Sequence, residues 1–447
     1  MTEIFNEDCL VTMKRMADNS VDSIVTDPPA GISFMGKHWD GDRGGRDHWI
    51  KWLEEIMKEG LRVLKPGGHA FVWAFPRTSH WTAMALENAG FEIRDCVYHV
   101  FGSGFPKSLD ISKAIDKKFG AERKIVGKSD RGSGHHLIKL NNHAKGDTGI
   151  GYMDGSGRIF DITSPTTERA KQSDGWGTAL KPAVECWWLC RKPLSEKTIA
   201  ENVLKWGVGG INIDDCRISV DPGIDDVKTN VVRGINSSDR TWNNESGFHD
   251  QQTFYTTHSK GRFPSNFIHD GSDEVLGYFP DAGGQQGDLI GHDRETESPN
   301  GIYGKQPPRY DTLRRRDNTK SASRFFYCAK PSPTERNMGC SDLPLKPSGV
   351  ISETSGQHLT RRDNNAPVAQ NNHPTVKALT LMEYLVTMIT PPGGTCYDLF
   401  AGSGTTLMAC EENEINGIGS ETEFDYCEIA KRRVGAVKDN GQQSIFK

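Results

Sequence analysis

The sequence predicts an α/β fold with a mainly parallel sheet, and two observations support this prediction. Short apolar runs that are typical of strands alternate with helix-spaced apolar segments near both ends of the chain, and Gly or Pro marks the boundaries. A long polar region separates the two ends, and the 447 residues include 48 Gly and 22 Pro, which indicates long loops. The simplest architecture is therefore one α/β core that is split into an N-terminal and a C-terminal part.

The N-terminal part supplies the first alternating elements. We predict strands at residues 21–25, 69–74 and 91–100, and helices at 48–63 and 78–89. Pro28 and Pro29 end the first strand, because proline lacks a backbone donor and restricts the residue before it. The segment Lys65–Gly68 is predicted to stop the first helix and to form a turn before the next strand.

The C-terminal part repeats this alternation. The elements predicted there are helices at 376–389, 405–412 and 424–434, and strands at 395–400 and 417–421. One further strand is predicted within the polar region, at 185–190. These elements divide the chain into five segments, with boundaries at 1–101, 102–174, 175–195, 196–370 and 371–447. The first, third and last segments are assigned to the core.

Composition and charge narrow the classes of function. The net charge is −5, so any contact with nucleic acid must come from a local basic patch. The best candidate for contact with nucleic-acid phosphates is the cluster Arg314, Arg315 and Arg316, although a solvated loop explains this cluster equally well. The ten cysteines include no Cys-x-x-Cys, so neither a disulfide framework nor a metal site is predicted. No apolar run reaches the roughly 18 residues of a membrane span, and residues 1–10 do not resemble a signal peptide, so we expect a cytoplasmic protein.

The segment Asp398–Thr405 has the form of a ligand-binding turn between a predicted strand and a predicted helix. Gly402 and Gly404 let the backbone turn tightly and approach a ligand closely. Glu421 ends the next predicted strand, nineteen positions after Gly402, where a carboxylate can accept hydrogen bonds from both ribose hydroxyls of a nucleoside. The turn lacks the third Gly of the dinucleotide fingerprint, which argues against NAD, and the sequence has no intact P-loop.

The sequence of this turn, Asp398-Leu-Phe-Ala-Gly-Ser-Gly-Thr-Thr406, resembles the S-adenosylmethionine turn of DNA amino-methyltransferases. The resemblance implies that S-adenosyl-L-methionine is the cofactor, that the turn encloses its methionine part and that Glu421 holds its ribose. The turn residues that it implicates in cofactor binding are Asp398, Phe400, Ala401, Gly402, Ser403, Gly404 and Thr405.

Two further segments are similar to elements of the same family. Asn6–Cys9 resembles its N-terminal Gly-Asp-Cys element, which implies that Asp8 and Cys9 lie near the cofactor. His373–Lys377 resembles the segment that lines the methionine pocket. The cofactor contacts implied there are His373, Thr375 and Lys377. The family usually continues with Pro after the lysine, whereas Ala378 follows in this chain.

The tetrapeptide Asp27-Pro28-Pro29-Ala30 resembles the catalytic motif of this family. An exocyclic amine of adenine or cytosine is a poor nucleophile, because its lone pair is delocalised into the ring. The Asp27 carboxylate and the Pro28 carbonyl can accept its two hydrogens, and Asp27 then also faces the cofactor. The family's fourth residue is an aromatic that stacks on a flipped base, whereas this chain has Ala30. The lost stacking is worth roughly 1–3 kcal/mol. Other aromatic residues that could stack instead are Phe34, Trp39 and Trp73.

The motif order, with the tetrapeptide before the cofactor turn, resembles the β group of the family. It implies a Rossmann-like S-adenosylmethionine-dependent methyltransferase core with circularly permuted motif order and polar target-recognition insertions. Residues 1–101 would form the catalytic half, 175–195 a core strand segment and 371–447 the cofactor-binding half. Target recognition is expected at 196–370, and 102–174 is a second candidate for DNA contact. Segments similar to phage and prophage members are 64–68, 175–182 and 262–266, so the cytoplasm is expected to be that of a bacterium or of a phage host.

The expected function is transfer of a methyl group to the N6 amine of adenine in double-stranded DNA. Two alternatives stay open: methylation of cytosine N4 by the same mechanism, and a catalytically weak or inactive homologue that binds DNA and cofactor, because Ala30 replaces the aromatic. A small-molecule or protein methyltransferase fits the long polar insertions less well. Methylation of the cytosine ring carbon needs a Pro-Cys nucleophile, which the sequence lacks. The recognition site, a homodimer and a restriction partner are left open by the sequence.

Overall fold

The computed structural model describes most of the chain in separate stretches. These are residues 1–33, 38–102, 104, 108–130, 159–219, 229–231, 253–255, 261–280, 321–330, 332, 334–347 and 368–445. The strands are β1 (Thr2–Phe5), β2 (Val21–Thr26), β3 (Leu64–Ala74), β4 (Glu92–Val100), β5 (Lys124–Asp130), β6 (Ile159–Ser164), β7 (Val184–Arg191), β8 (Thr229–Val231), β9 (Thr253–Tyr255), β10 (Phe267–His269), β11 (Tyr327–Cys328), β12 (Lys346–Pro347), β13 (Val368–Ala369), β14 (Thr395–Asp398) and β15 (Asn416–Ser420). The helices are α1 (Cys9–Arg15), α2 (Arg46–Val63), α3 (Ser79–Ala89), α4 (Ile111–Lys118), α5 (Glu168–Gln172), α6 (Ile199–Trp206), α7 (Asp273–Leu276), α8 (Leu379–Ile389), α9 (Thr405–Glu412) and α10 (Phe424–Ile445).

Nine of these strands form one mixed sheet in the order β1-β15-β14-β2-β3-β7-β4-β10-β11. Strand β7 runs antiparallel to both of its neighbours, and the other pairs in this sheet are parallel. Strands β14 and β2 pair directly, with Cys396 opposite Ser23 and Tyr397 opposite Ile24. The two ends of the chain therefore build one sheet, which confirms the predicted α/β core split into two parts.

Helices cover both faces of the sheet, because its central strands are apolar on both sides. Along β3, Ala70 and Val72 belong to the cluster that α2 and α3 complete, whereas Phe71 and Trp73 belong to the cluster that α8 and α9 complete. This follows from the alternation of side chains along a strand. All six residues of β2 are buried. None of the described helices is long and apolar enough to cross a membrane.

The prediction of a separate turn at Lys65–Gly68 is wrong. Helix α2 ends at Val63 as expected, but β3 begins with the next residue instead of after a separate turn. The register against β2 shifts in this stretch, where Val21 faces Leu64 and Ser23 faces His69. Gly67 accommodates the irregularity with a φ of +78°. The Pro-Gly-Gly sequence thus makes a bulge at the start of the strand.

The polar segments contain more structure than their weak periodicity indicates. Helices α4 and α5 pack on each other, and β5 pairs with β6. This small unit is centred on Asp116, which binds Arg123 at 2.9 Å and accepts two backbone hydrogen bonds from the start of α5. Strands β10 and β11 extend the large sheet beyond β4. Polar side chains order the unit of α4 and α5, and pairing with the large sheet orders β10 and β11, so apolar periodicity did not predict these segments.

Candidate active site

The carboxyl ends of two central strands bring the two main sequence motifs together. Asp27 follows β2 directly, and Asp398 is the last residue of the neighbouring strand β14. The Thr26 hydroxyl donates to the Asp398 carboxylate at 2.8 Å and accepts from the Leu399 amide at 3.1 Å. Open α/β sheets bind their ligands at this edge. The tetrapeptide and the glycine turn therefore belong to one site.

Backbone conformation explains both glycines of the turn. Gly402 and Gly404 have φ angles of +50° and +78°, a left-handed region that favours glycine. A Cβ at Gly402 would lie 2.9 Å from the His373 ring, and one at Gly404 would lie 2.7 Å from Ala430. The turn therefore packs closely against α10 and against the segment His373–Lys377, which the sequence had linked to the same ligand.

Glu421 closes the turn from the end of β15. Its carboxylate accepts hydrogen bonds from the amides of Gly402 and Glu423, each at 2.8 Å. Burial raises the pKa of Glu421 to about 7, although these amides oppose the shift. Burial also raises the pKa of Asp398 to about 6, against hydrogen bonds from two threonine hydroxyls. Both acids titrate near neutral pH, so a ligand that donates hydrogen bonds to them favours their ionised forms.

Arg433 of α10 holds the turn from inside the protein. Its fully buried guanidinium donates to the Ser403 carbonyl at 2.7 Å and to the Thr405 hydroxyl at 2.9 Å. It also donates to the Glu335 carbonyl at 3.2 Å. Burial lowers the pKa of Arg433 to about 10, which still leaves it charged at neutral pH. The Thr405 side chain and the Ser403 hydroxyl, which lies 3.1 Å from Arg433, thus hold the turn to the protein.

His373 is fixed in a neutral state beside the turn. Arg336 donates to its carbonyl at 2.6 Å, and the Thr375 amide donates to its ring Nδ1 at 3.3 Å. Its ring contacts Tyr426 edge-on at 4.5 Å between centroids. Burial lowers the pKa of His373 to about 3, and the Lys377 charge lowers it further. The ring therefore acts as a rigid, uncharged wall behind Gly402.

Asp8 and Cys9 have different surroundings. The Asp8 side chain caps α1, and its charge reaches Arg43. The Arg43 guanidinium lies 3.9 Å from the ring centre of Trp52, which contacts Phe400 of the turn at 5.8 Å. Cys9 is 4% exposed, and burial raises the pKa of its thiol to about 12. Asp8 is thus connected to the rim of the turn, whereas the Cys9 side chain packs in the core.

The backbone of the tetrapeptide is held by residues from outside it. The Asp40 carboxylate accepts from the Ala30 amide at 2.5 Å and from the Gly31 amide at 3.2 Å. The Thr78 hydroxyl donates to the Ala30 carbonyl at 2.9 Å. Gly31 has a φ of +70°, and a Cβ there would lie 2.8 Å from the Trp49 ring. The loop conformation therefore depends on main-chain contacts, not on the side chain at position 30.

The Asp27 carboxylate is paired with Lys377. The Lys377 Nζ lies 2.9 Å from Asp27 Oδ2 and 4.2 Å from the centre of the Trp73 ring. Burial raises the pKa of Asp27, and the Lys377 charge opposes this shift. Lys377, implicated as a cofactor contact by the sequence, thus contacts the Asp27 carboxylate of the tetrapeptide. Trp73 is 9% exposed and has the ammonium over its ring, so it does not offer that face to a base.

The structure describes only some of the other residues that the sequence singled out. Trp39 lies in a short 3-10 turn, His38–Asp40, and is partly buried. Phe34 and the Arg314–Arg316 cluster lie outside the described residues. The phosphate contact assigned to that cluster stays a prediction.

Three residues that hold the site, Asp40, Thr78 and Arg433, were not predicted from the sequence. Thr78 precedes a helix, where a hydroxyl usually caps the backbone, but here it makes no cap and serves the loop. Arg433 could have been found, because it lies at helical spacing from the buried residues Ile429, Ala430 and Val437 of α10. Asp40 gives no comparable indication in the sequence.

Comparison with protein families agrees with this geometry. The family model described as DNA methylase matches residues 21–111 and 237–432, which is well over half of the chain and includes the tetrapeptide, the glycine turn and Glu421. The fold and the paired motifs at the sheet edge define a Rossmann-like methyltransferase core with permuted motif order. The chain belongs to the DNA methylase family.

Individual proteins match shorter parts. The Type II methyltransferase M.BamHI of Bacillus amyloliquefaciens is 32% identical over 75 residues, which cover 17% of this chain and 18% of that protein. The DNA adenine methyltransferase YhdJ of Escherichia coli K12 is 38% identical over 71 residues, covering 15% and 23%. The curated relatives are thus matched over less than half of their length. The crystal structure of an M1.HpyAVI–SAM complex aligns over 97% of this chain and 99% of its own with 14% identity, but its TM-score of 0.36 is too low to bear on function.

Proposed function

We propose that this protein transfers a methyl group from S-adenosyl-L-methionine to the N6 amine of adenine in double-stranded DNA. One observation carries the proposal: a carboxylate of the Asp-Pro-Pro type and a glycine turn with its acidic partner lie on paired strands at the same edge of the sheet. Membership of the DNA methylase family supports this assignment. The target and the cofactor would meet between Asp27 and the turn.

The turn fits the proposed cofactor. Gly402 and Gly404 permit the left-handed backbone of the turn and its close packing against His373 and α10. Each oxygen of Glu421 accepts one amide and keeps capacity for a ribose hydroxyl. When bound, the cofactor supplies an electrophilic methyl group on a positively charged sulfur. Asp398 and Glu421 make the site acidic, which suits a cationic ligand.

On the DNA side, the chain supplies acceptors for the amine. Asp27 and the carbonyl of Pro28 would accept its two hydrogens, which localises the nitrogen lone pair. In the transfer, the nitrogen would bond to the methyl carbon, and the electron pair of the broken carbon–sulfur bond would stay with the sulfur. The nitrogen then loses one proton, for which Asp27 is the adjacent acceptor. Burial at this site strengthens such hydrogen bonds.

Ala30 favours a second candidate, a homologue that binds DNA and cofactor but transfers methyl groups slowly or not at all. The tetrapeptide backbone is held by Asp40 and Thr78, so the loop shape persists without the aromatic. What Ala30 removes is stacking on the flipped base, worth roughly 1–3 kcal/mol, or about 5- to 150-fold in base capture. The residue therefore bears on rate more than on the geometry of transfer.

A tritiated methyl-transfer assay on genomic DNA decides between the two candidates. The chain as it stands is compared with Ala30→Tyr and, as a control of similar size without stacking, Ala30→Leu. We expect slow transfer by the chain, about 5- to 150-fold faster transfer by the Tyr variant, and no gain for Leu. Transfer by the Tyr variant alone would favour the inactive homologue. No transfer to any DNA by any of the three would overturn the enzyme assignment.

The choice of adenine needs a separate measurement. The Asp-Pro-Pro start favours N6 of adenine, but N4 of cytosine presents the same kind of amine to Asp27 and Pro28. Methylated DNA is digested to nucleosides and weighed by mass spectrometry. Only N6-methyladenine supports the proposal, whereas only N4-methylcytosine would replace adenine with cytosine as the target. Sequencing the modified DNA would then give the recognition site.

A further inference from the structure

Glu185 is a carboxylate beside the ion pair of Asp27 and Lys377. It has no role in the proposed reaction. It lies near the start of β7, and because β7 runs antiparallel to β3 and β4, this start coincides with their carboxyl ends. Its Oε1 lies 3.7 Å from the Lys377 Nζ, and its Oε2 lies 3.8 Å from Nδ1 of His99, its register partner on β4. Glu185 is therefore a second acidic neighbour of Lys377.

One ammonium thus serves two carboxylates. The Lys377 Nζ lies 2.9 Å from Asp27 and 3.7 Å from Glu185. The Lys377 side chain is 11% exposed and both carboxylates are 23% exposed. Burial opposes ionisation of Glu185, but Lys377 and His99 outweigh it and lower the pKa of Glu185 to about 2. An anion is thus available to the ammonium at neutral pH whatever Asp27 is bound to.

In the proposed reaction, the contact of Asp27 with Lys377 opposes the role of Asp27 as a proton acceptor. Asp27 must accept a hydrogen bond and then a proton from the target amine, while its Oδ2 accepts from Lys377. If Lys377 stayed in place, its charge would lower the pKa of Asp27 and make the carboxylate a weaker acceptor for the departing proton. If it left without another anion, a shielded ammonium would be unpaired, which is strongly unfavourable. A contact with Glu185 avoids both outcomes, because it is already within reach.

We infer that Glu185 is a positioning residue that takes over the Lys377 ammonium when Asp27 binds the target amine. The inference rests on the proposed function. Lys377 stays paired before and after the exchange, and Asp27 is released to accept first the amine hydrogen bond and then the departing proton. The Trp73 ring, 4.2 Å from the ammonium, stabilises the cation during the exchange. Other charged or titratable groups also affect the pKa values at this place. Asp40 raises the pKa of Asp27, His99 lowers the pKa of Glu185, and the Lys377 charge lowers the pKa of His373.

The kinetic test uses Glu185→Gln, which keeps the shape and removes the charge. Its matched control is Glu92→Gln, which removes the partner of Arg191, 2.6 Å away, across the same pair of strands β4 and β7. We expect kcat to fall about tenfold in Glu185→Gln, within the usual range for contacting charged groups. KM for DNA and for cofactor should change by less than about twofold. Glu185→Asp, which keeps a charge, should retain more activity than Gln, and the control should retain nearly all.

Two readouts separate positioning from a merely structural role. Glu185 raises the pKa of Asp27 by its charge, so Glu185→Gln should move the acid limb of the kcat profile to lower pH. A structural loss lowers the rate at every pH and leaves the limb in place. In a Lys377→Met background, Glu185→Gln should cost less than about twofold, because the effect passes through the lysine. An unmoved limb, or a full tenfold loss without Lys377, would overturn the inference.

A third measurement needs no catalysis. If either carboxylate can pair with Lys377, then Asp27→Asn and Glu185→Gln should each lower the free energy of unfolding in urea only slightly. In the double variant, the Lys377 ammonium has neither of its two carboxylate partners. We expect the double variant to lose more than the sum of the single losses. Additive losses would overturn the inference while leaving the proposed function intact. More-than-additive losses together with no methyl transfer by the chain or by Ala30→Tyr would overturn the proposed function instead.

Discussion

The two halves of the candidate site are built in different ways. The cofactor side is held mainly by close packing and hydrogen bonds within the C-terminal part of the chain, such as the Gly402 amide on Glu421 and the Gly404 backbone against Ala430. On the catalytic side, Asp27 of the N-terminal part depends on the charge of Lys377 from the C-terminal part, and Asp40 and Thr78 hold the Ala30 loop. One side is fixed by shape, and the other is balanced by charge.

The two sides should therefore tolerate different substitutions. The turn packs against His373 and α10, so cofactor binding should weaken when a side chain is added at its glycines or when the buried Arg433 is removed. A shared ammonium between two carboxylates should respond to loss of a single charge, even where the shape is kept. Isosteric substitutions are therefore expected to separate the two sides, by changing the rate of transfer on one and cofactor binding on the other.

The largest effect is expected from Asp27→Asn. The amide keeps the volume but neither accepts the proton of the amine nor pairs with Lys377, 2.9 Å away. We expect methyl transfer to fall roughly 100- to 10,000-fold. The dissociation constant for S-adenosyl-L-methionine, measured by calorimetry, should stay within about threefold, since the turn is held independently.

The control for this change is Asp18→Asn. Its carboxylate is 68% exposed and pairs with Arg62 on the surface, so full activity is expected. Cofactor binding that fell together with the rate in Asp27→Asn would show that the two sides are not separable.

A smaller effect, on the other side, is expected from Arg433→Met. Removing the guanidinium leaves the Ser403 and Glu335 carbonyls without their donor in a buried place. We expect a loss of about 3 kcal/mol in the free energy of unfolding and weaker cofactor binding. Arg432→Met is the matched control, because its side chain is 48% exposed and pairs only with a surface aspartate, Asp342, among the described residues. Equal losses in the two variants would contradict a specific role for Arg433.

The two sides of the site differ in how far they could be predicted from the sequence. The glycine turn and Glu421 follow from local rules, because a strand, a turn with positive φ and an acid at the next strand end are close in sequence. Asp27 and Lys377 were implicated separately by family resemblance, but their contact was not foreseen, since 350 positions separate them. Asp40 and Thr78 act on main-chain groups of a loop, and such contacts leave no pattern in the sequence.

The fold shows the same division. Helix α2, which has strong apolar periodicity, and helix α9, which follows the glycine turn, were predicted nearly to the residue. The short strands β1, β10 and β11, which lie at the two ends of the sheet, were not predicted, because each is at most four residues long and is only partly apolar. Their place is decided by pairing with a sheet that already exists. Short edge elements therefore depend on tertiary contacts more than on their own sequence.

The third expected effect is on the pH dependence of cofactor binding. Burial raises the pKa of Glu421 to about 7, so below that pH the carboxyl is largely protonated and can no longer accept from both ribose hydroxyls. Affinity for S-adenosyl-L-methionine should therefore rise with pH, by about tenfold between roughly pH 6 and pH 8. Glu421→Gln should bind more weakly at high pH and lose this dependence. The same slope in both proteins would assign the titration to another group.

The smallest expected effect returns to the catalytic side, at Thr78. Its hydroxyl makes a hydrogen bond of 2.9 Å to the Ala30 carbonyl and makes no helix cap, so Thr78→Val removes one contact to the loop without weakening α3 at its cap. A lost neutral hydrogen bond is worth about 1 kcal/mol, which corresponds to roughly fivefold in rate. Thr78→Ser keeps the hydroxyl and should keep the rate. Cofactor affinity should be unchanged in both variants. If Thr78→Val weakened cofactor binding as much as methyl transfer, the loop and the turn would respond as one unit, and the contrast between a side fixed by shape and a side balanced by charge would fail.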